Sequence, residues 1–409
     1  MKILMVNKFH YIKGGSETYY FSLRRLLQNE GHEIVDFSMK DPQNFNSDYE
    51  KYFVENVDYT GTVRIKSKVK MAMNIIYSFE AKRKFEALVQ KEKPDLIHLH
   101  IFQHQISPSI LDVAKKYNIP TVYTAHDLKM ICLNYKMMHH GKICEACKNG
   151  HYYHCALNKC VKESLSKSCI NVMEGYLHKW RKSYDVIDMI VTPSNFYKKK
   201  FEEFGVAGER IIHIPNFLER ESPIINKGQD SKRYYLYFGR LSEEKGILTL
   251  FKAIEGTDFL LYVVGTGPLR QQLQEYVNIN KLGNIKLLGF KSGQELTDLV
   301  ANAKAVILPS EWYENGPYSA IEALQVGRPI IGANIGGIPE LVDNNGFLFE
   351  SGNAQSLRSV LGEMDSCSDE QYEKMEMASK NLFDNTYTAK QHYASLLKVY
   401  TCCQQKRRK

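Results

Sequence analysis

Several signatures are missing from this 409-residue chain, and each absence removes a class of function. No apolar run approaches the roughly 20 residues that a membrane-spanning helix needs. The opening "MKILMVNKFH" has too short an apolar core for a secretion signal and reads instead as a buried strand. The expected location is therefore cytoplasmic. There is no GxxxxGK[ST] phosphate loop, which argues against a P-loop nucleotidase. "GTGPLR" (265–270) lacks the third glycine of a dinucleotide fingerprint, and Gly14-Gly15 has the wrong spacing for one. No repeat at solenoid spacing is visible.

What is present is the composition of a soluble globular protein, 44% apolar and 24% charged. The length favours two domains. The net charge of +8 is uneven. Residues 1–193 carry 28 Lys and Arg against 20 Asp and Glu, and the remainder carries 26 of each. A basic front half points to an acidic partner there, such as anionic headgroups or a phosphorylated acceptor. A solvated lysine-rich surface is the plainer reading. Residues 63–93, opening with "VRIKSKVKMAMNIIYSF", are basic and partly amphipathic; contact with a membrane surface is one reading, and a helix packed on the front sheet with a lysine-rich outer face is the preferred one.

Short apolar runs alternate with helical stretches. "ILMV" (3–6), "DLIHLH" (95–100), "TVYTA" (121–125) and "DMIVT" (188–192) lie in the front half. "YYLYFG" (234–239), "LLYVVG" (260–265), "IKLLG" (285–289), "AVILP" (305–309) and "PIIGA" (329–333) lie in the rear half. Strands buried on both faces and separated by helices predict parallel, doubly wound sheets. Two series predict two Rossmann-like domains, facing a central cleft: 1–205 and 206–385. A polar connector follows at 219–233. A cysteine-rich insertion spans about 128–165. A terminal helix and frayed basic tail occupy 386–409, with the helix packing back on the first domain.

Four strand-to-helix turns share one logic: glycine lets backbone approach a ligand, and the helix N-terminus offers free N–H groups. They contain Gly14 and Gly15, then Gly239, then Gly265 and Gly267, and finally "PSEWYENGP" (309–317). Arg240 and Lys245 flank the second turn, where they could neutralise a diphosphate. In the fourth, the helix after Pro317 leaves the N–H groups of Tyr318, Ser319 and Ala320 without intrahelical partners. Glu314 precedes this helix and Glu322 lies within it. Carboxylates can grip hydroxyls while the helix end and the cations take phosphates. A ligand with both kinds of group is a nucleotide sugar. On the plainer reading these are surface charges and connector glycines.

The stretch from Glu314 to Glu322 resembles the E-x7-E motif of retaining glycosyltransferases of family 4, which have the GT-B fold. "GGSE" (14–17), "TAHD" (124–127), "TPSNF" (192–196), "IPNF" (214–217), "YFGRLSEEKG" (237–246), "VVGTGP" (263–268), "LLGF" (287–290) and "GRPIIGANIGGIPELV" (327–342) extend the resemblance over nearly the whole chain. The resemblance implies transfer of a hexose-type sugar with retention, from a UDP-sugar in preference to a GDP-sugar. No metal is obligatory, in keeping with the lack of a D-x-D. The acceptor would be a glycan or lipid-linked saccharide in cell-surface polysaccharide assembly, reached from the cytoplasmic face of a membrane. Arg240 and Lys245 would hold the diphosphate. Glu322 would bind ribose. Glu314 and the backbone of Asn315, Gly316, Pro317 and Tyr318 would bind the transferred sugar. His126 would lie beside it, and the Gly14-Gly15 turn would close over the diphosphate. The usual Phe-Gly after the first Glu is Asn315-Gly316 here, so sugar preference does not carry over.

Two rival functions are a sugar-nucleotide epimerase on the same fold and a non-enzymatic zinc or nucleic-acid-binding protein; nucleic acid is not the expected partner. His98 and His100 share a strand face and are read as satisfied structural residues. Cys144-x2-Cys147-x7-Cys155-x4-Cys160 has spacing that would suit a closed structural zinc site. Unligated reduced thiols are the other reading.

Overall fold

A computed structural model describes residues 1–56, 73–219, 226 and 234–408. Residues 63–72 of the basic stretch 63–93 and most of the connector 219–233 therefore fall outside the described residues, while helix Phe79–Glu92 lies within the stretch. The chain forms two compact units. The first comprises Met1–His139, Cys144–Ile214 and His392–Lys409; the second comprises His140–Ile143 and Pro215–Gln391.

In the first unit six parallel strands run in the order Glu33–Phe37, Lys2–Val6, Leu96–Leu99, Thr121–Thr124, Met189–Thr192, Ile211–His213. The strand residues Ile3, Leu4, Met5, Val6, Leu96, Ile97 and Leu99 are entirely out of solvent. This is the two-sided burial that their apolar sequence requires. Strand Glu33–Phe37 was not expected, because Asp36 interrupts its apolar pattern. The structure buries that carboxylate and offsets the cost with Arg24 (3.0 Å) and the Tyr20 hydroxyl (3.2 Å).

The second unit repeats the arrangement with the order Ile285–Gly289, Leu260–Val264, Tyr234–Phe238, Ala305–Leu308, Ile330–Ala333, Gly346–Phe349, again all parallel. Numbered along the chain within this unit, that is 3-2-1-4-5-6. The order reverses between Tyr234–Phe238 and Ala305–Leu308. In an open α/β sheet the loops leaving the carboxyl ends of two such strands diverge and leave a crevice. In the first unit the reversal falls between Lys2–Val6 and Leu96–Leu99.

The last helix, Ala389–Arg408, departs from expectation at its end. Among the described residues its basic end is held by side-chain bonds. Arg407 pairs with Asp188 (2.9 Å) and donates to the carbonyl of Val186 (3.0 Å) and to Asn118 (3.1 Å). These bonds satisfy a guanidinium that would otherwise favour solvent. His392, Leu396, Val399, Tyr400 and Cys403 are buried at three- and four-residue spacing, so one helical face completes the first unit's core. Among the described residues no helix is long and apolar enough to cross a membrane.

Candidate functional site

The topological reversal of the second sheet brings two of the expected loops together. After strand Tyr234–Phe238 the chain turns through Gly239 and a short 3-10 helix, Glu243–Lys245. After strand Ala305–Leu308 it runs through Pro309–Pro317 into helix Tyr318–Gln325. The amide of Glu311 donates to the carbonyl of Glu244 (2.9 Å), which joins the loops by backbone. Gly246 is required at this contact. Its φ is +65°, and a Cβ there would stand 1.9 Å from the carbonyl oxygen of Pro309.

Across this junction Lys245 Nζ lies 2.5 Å from Glu314 Oε1. Glu314 is buried, and the same oxygen accepts from the Ser310 hydroxyl (2.7 Å). Burial alone would push this carboxyl up. The Lys245 charge and the bonds from Lys245 and Ser310 outweigh it, with a smaller effect from the Trp312 indole, and hold Glu314 below its ordinary pKa of 4.5. The Lys245 ammonium also stands 5.3 Å from the centre of the Trp312 ring. The Glu314 backbone is held as well: Gly337 N–H donates to its carbonyl (2.7 Å), and a Cβ on Gly336 would lie 2.5 Å from its amide nitrogen.

The remaining expected donor residues surround this pair within the second unit. Arg240 is exposed, its backbone carbonyl fixed by the Tyr237 hydroxyl (2.8 Å). Asn315, Gly316, Pro317, Tyr318 and Ser319 are half-buried. Asn216 donates to the carbonyl of Gly316 (2.8 Å), which gives the "IPNF" segment a role in holding the loop. Glu322 is half-buried between the buried Ile321 and Ala323. Helix Tyr318–Gln325 has no side-chain N-cap. Of its first amides, that of Ala320 is not free as expected, because a tight first turn directs it to the carbonyl of Pro317 (3.1 Å).

Gly239, Gly265 and Gly267 differ from the picture of an open cradle. Gly239 N–H donates to Val264 (3.0 Å), and Gly265 N–H to Gly289 (2.7 Å). A Cβ on Gly265 would lie 1.9 Å from the Gly239 carbonyl, and one on Gly267 would lie 2.2 Å from that of Leu241. These glycines let neighbouring loops pack backbone to backbone.

His126, Gly14 and Gly15 belong to the first unit. Gly14 and Gly15 are exposed, with Gly14 at the N-cap of helix Gly15–Asn29. His126 Nε2 lies 3.0 Å from His100 Nδ1, and its ring is 5.0 Å from that of Tyr19. Burial lowers its pKa to about 3. His98 is satisfied at both nitrogens, by Tyr400 (2.7 Å) and Thr124 (2.8 Å). His100 differs from expectation: its Nε2 is buried with no partner. His392, 2.9 Å from the Tyr19 hydroxyl, joins the group through the terminal helix.

Cys144, Cys147, Cys155 and Cys160 line one small cavity together with Cys132. Cys155 and Cys160 share a hydrogen bond, which raises the Cys155 thiol and lowers Cys160; burial pushes Cys147 up to about 12. As these side chains are placed, no group of three or more His, Cys, Asp or Glu among the described residues is arranged to hold a metal ion.

Two parallel α/β units of this kind are the architecture of the GT-B glycosyltransferases. The Glycosyltransferase Family 4 signature matches residues 13–222, just over half the chain, and the Glycosyl transferases group 1 signature matches 219–382. The chain belongs to glycosyltransferase family 4. It is 24% identical over 366 residues to an uncharacterised glycosyltransferase of Methanocaldococcus jannaschii, covering 89% of this chain and 88% of that one. It is 32% identical over 207 residues to the amylovoran biosynthesis glycosyltransferase AmsK of Erwinia amylovora, covering 47% of this chain and 51% of that one. Among solved structures the fold matches Anabaena HepE in complex with UDP, with a TM-score of 0.69 at 15% identity over 98% of this chain and 100% of that one. It also matches sucrose-phosphate synthase from Thermosynechococcus elongatus, with a TM-score of 0.71 at 16% identity over 98% of each chain.

Proposed function

We propose that this glycosyltransferase moves a hexose-type sugar, with retention, from a nucleoside-diphosphate sugar to a glycan or lipid-linked saccharide during cell-surface polysaccharide assembly. The observation that carries the reading is the Lys245–Glu314 pair, its carboxylate buried, at the reversal of the second sheet. An ammonium already drawn to one carboxylate can exchange part of that bond for a donor diphosphate. Arg240, exposed beside it, supplies a second cation. Their fixed charges would stabilise the negative charge that gathers on the departing diphosphate, so no obligatory metal is needed. Glu314, kept ionised, would accept sugar hydroxyls, and Glu322 would accept those of the ribose. The likeness to UDP-bound HepE supports a UDP-sugar. The basic first half supports a phosphate-bearing acceptor at the cytoplasmic face of a membrane.

The test is release of nucleoside diphosphate from a panel of labelled UDP-, GDP- and ADP-hexoses, with calorimetry for binding. At least one donor should bind and turn over, and Lys245→Ala should abolish turnover. No binding across the panel, or full activity in Lys245→Ala, would overturn the reading. A product that retains the nucleotide with an altered sugar would identify an epimerase.

For the insertion, we propose a structural zinc ion on Cys144, Cys147, Cys155 and Cys160. The five thiols around one cavity support it, and side-chain rotation is needed to close the tetrahedron. Zinc close to one per chain in purified native protein is the expected result, and zinc near zero would end the proposal.

A further inference from the structure

The first unit has its own topological reversal, between strands Lys2–Val6 and Leu96–Leu99, and the loops leaving them are tied together. Lys8 N–H donates to the Ile101 carbonyl (2.6 Å), and Ile101 N–H donates to Asn7 Oδ1 (3.1 Å). The carbonyl of Lys8 accepts from Met39 N–H (3.2 Å) and the Ser38 hydroxyl (3.0 Å). Lys8 is thus fixed in a crevice of the kind that takes ligands in open α/β sheets.

Its side chain is half-buried, yet pairs with no carboxylate among the described residues. Instead Lys8 Nζ stands 4.9 Å from the centre of the Phe9 ring, and Lys13 Nζ stands 4.1 Å from the same centre. Two ammonium groups over one ring repel each other, and a phenyl quadrupole compensates only weakly. Lys162, from the cysteine-rich insertion, adds a third positive charge within electrostatic reach of Lys8. Glu17 and Asp127 also face Lys8, but neither forms an ion pair with it. Burial, followed by Lys13, lowers the Lys8 pKa to about 8, against partial opposition from the two acids. Beside the lysines, helix Gly15–Asn29 begins at Gly14 with no side-chain cap. Three lysines against two acids leave a net positive charge in this crevice, which favours an anion there.

We propose that Lys8 and Lys13, over the Phe9 ring, together with Lys162, form an anion subsite in the first unit that takes the phosphate or diphosphate of the acceptor. This rests on the transferase reading above and names the chemistry of its second substrate. The same chemistry could come from the donor's own diphosphate, so the test separates the two sources.

Binding of inorganic pyrophosphate to the full-length protein would be measured by calorimetry, with and without saturating UDP. The variants are Lys8→Met, which keeps the apolar stem, and the double variant Lys13→Gln/Lys162→Gln. Thermal melts and UDP binding serve as the folding control. The expected result is pyrophosphate binding that persists under UDP and falls at least tenfold in each variant, while UDP affinity changes less than twofold. The gap between the parent and Lys8→Met should narrow as pH rises past about 8, because the parent then loses the Lys8 charge. A merely structural Lys8 would not produce that dependence. Three results would overturn the proposal: no pyrophosphate binding, equal binding in all variants, or displacement by UDP together with parallel loss of UDP affinity. The last would assign the lysines to the donor. In every case UDP binding and donor turnover report separately on the transferase reading.

Discussion

Lys245 and Glu314 are 69 positions apart in the chain and 2.5 Å apart in space. The carboxylate is buried and the ammonium about one-fifth exposed. Removing the cation leaves a buried carboxylate held by the Ser310 hydroxyl. Loss of one partner of such a pair costs about 3 kcal/mol. Lys245→Ala is therefore expected to lower the melting temperature of the second unit as well as turnover. Lys245→Ala/Glu314→Gln should regain most of the stability and none of the activity. Thermal melts beside donor-hydrolysis rates check both outcomes. The pair also sets an acid limit. Because the folded Glu314 lies below 4.5, its contribution is complete above that pH and fades as pH falls through the lowered value.

Glu322 offers a cleaner probe of the donor site. It is half-buried on a helix, and alanine is a better helix former, so Glu322→Ala should fold normally. On the proposed reading, two charge-assisted bonds from ribose hydroxyls would contribute about 1.5–3 kcal/mol each. The expected loss in kcat/KM is about a hundredfold or more, with Glu322→Gln intermediate. Steady-state kinetics with the best donor of the panel measures it.

The histidine group predicts a pH effect of the first unit alone. His98 and His100 are fully buried; burial lowers His98 to about 3 and His100 well below its ordinary 6.5. The unfolded chain thus binds protons that the folded unit does not. Stability is complete above pH 6.5 and falls as pH drops from 6.5 toward 3, by up to about 1.4 kcal/mol per pH unit for each imidazole. Hydrogen exchange of amides in strands Lys2–Val6 and Leu96–Leu99 should accelerate between pH 6.5 and 5, beyond the intrinsic rate change. His100→Asn should reduce that slope.

Arg407 anchors the terminal helix. Arg407→Ala removes the pair with Asp188 and the bonds to Val186 and Asn118. Asp188 also accepts from Thr121 N–H (2.8 Å), so the loss reaches the sheet. Faster hydrogen exchange over the last two turns of Ala389–Arg408 is expected, with a stability loss of about 2 kcal/mol. Unchanged protection there would show that the apolar face alone holds the helix.

The strands were legible wherever burial on both faces demanded an unbroken apolar run, as in "YYLYF" and "AVIL". They were missed where the run was interrupted or short. Asp36 hid one strand because its compensation by Arg24 and Tyr20 is tertiary. Ile211–His213 and Gly346–Phe349 are short edge strands. At the candidate site the residue types were readable but not their partnerships. Lys245 was expected to face phosphate and Glu314 to face hydroxyls; that they face each other follows only from the strand order. Ser310 and Trp312 went unnoticed, although Ser310 stands one turn's distance before Glu314 in the same loop. His392 gave no signal, since its partner Tyr19 is 373 positions away.

The excursion of the chain into the second unit and back has a consequence for biosynthesis. The opening unit is begun by residue 1, yet the helical face carrying His392, Leu396, Val399, Tyr400 and Cys403 emerges only after residues 215–391 have been made. Until then the cavity for Tyr400 and the ring of His98 stand uncovered on the nascent polypeptide. The second unit, contiguous over nearly its whole length, can mature on the ribosome; the first must wait until helix Ala389–Arg408 has emerged. Premature termination near residue 388 would therefore damage the half of the molecule that was translated first.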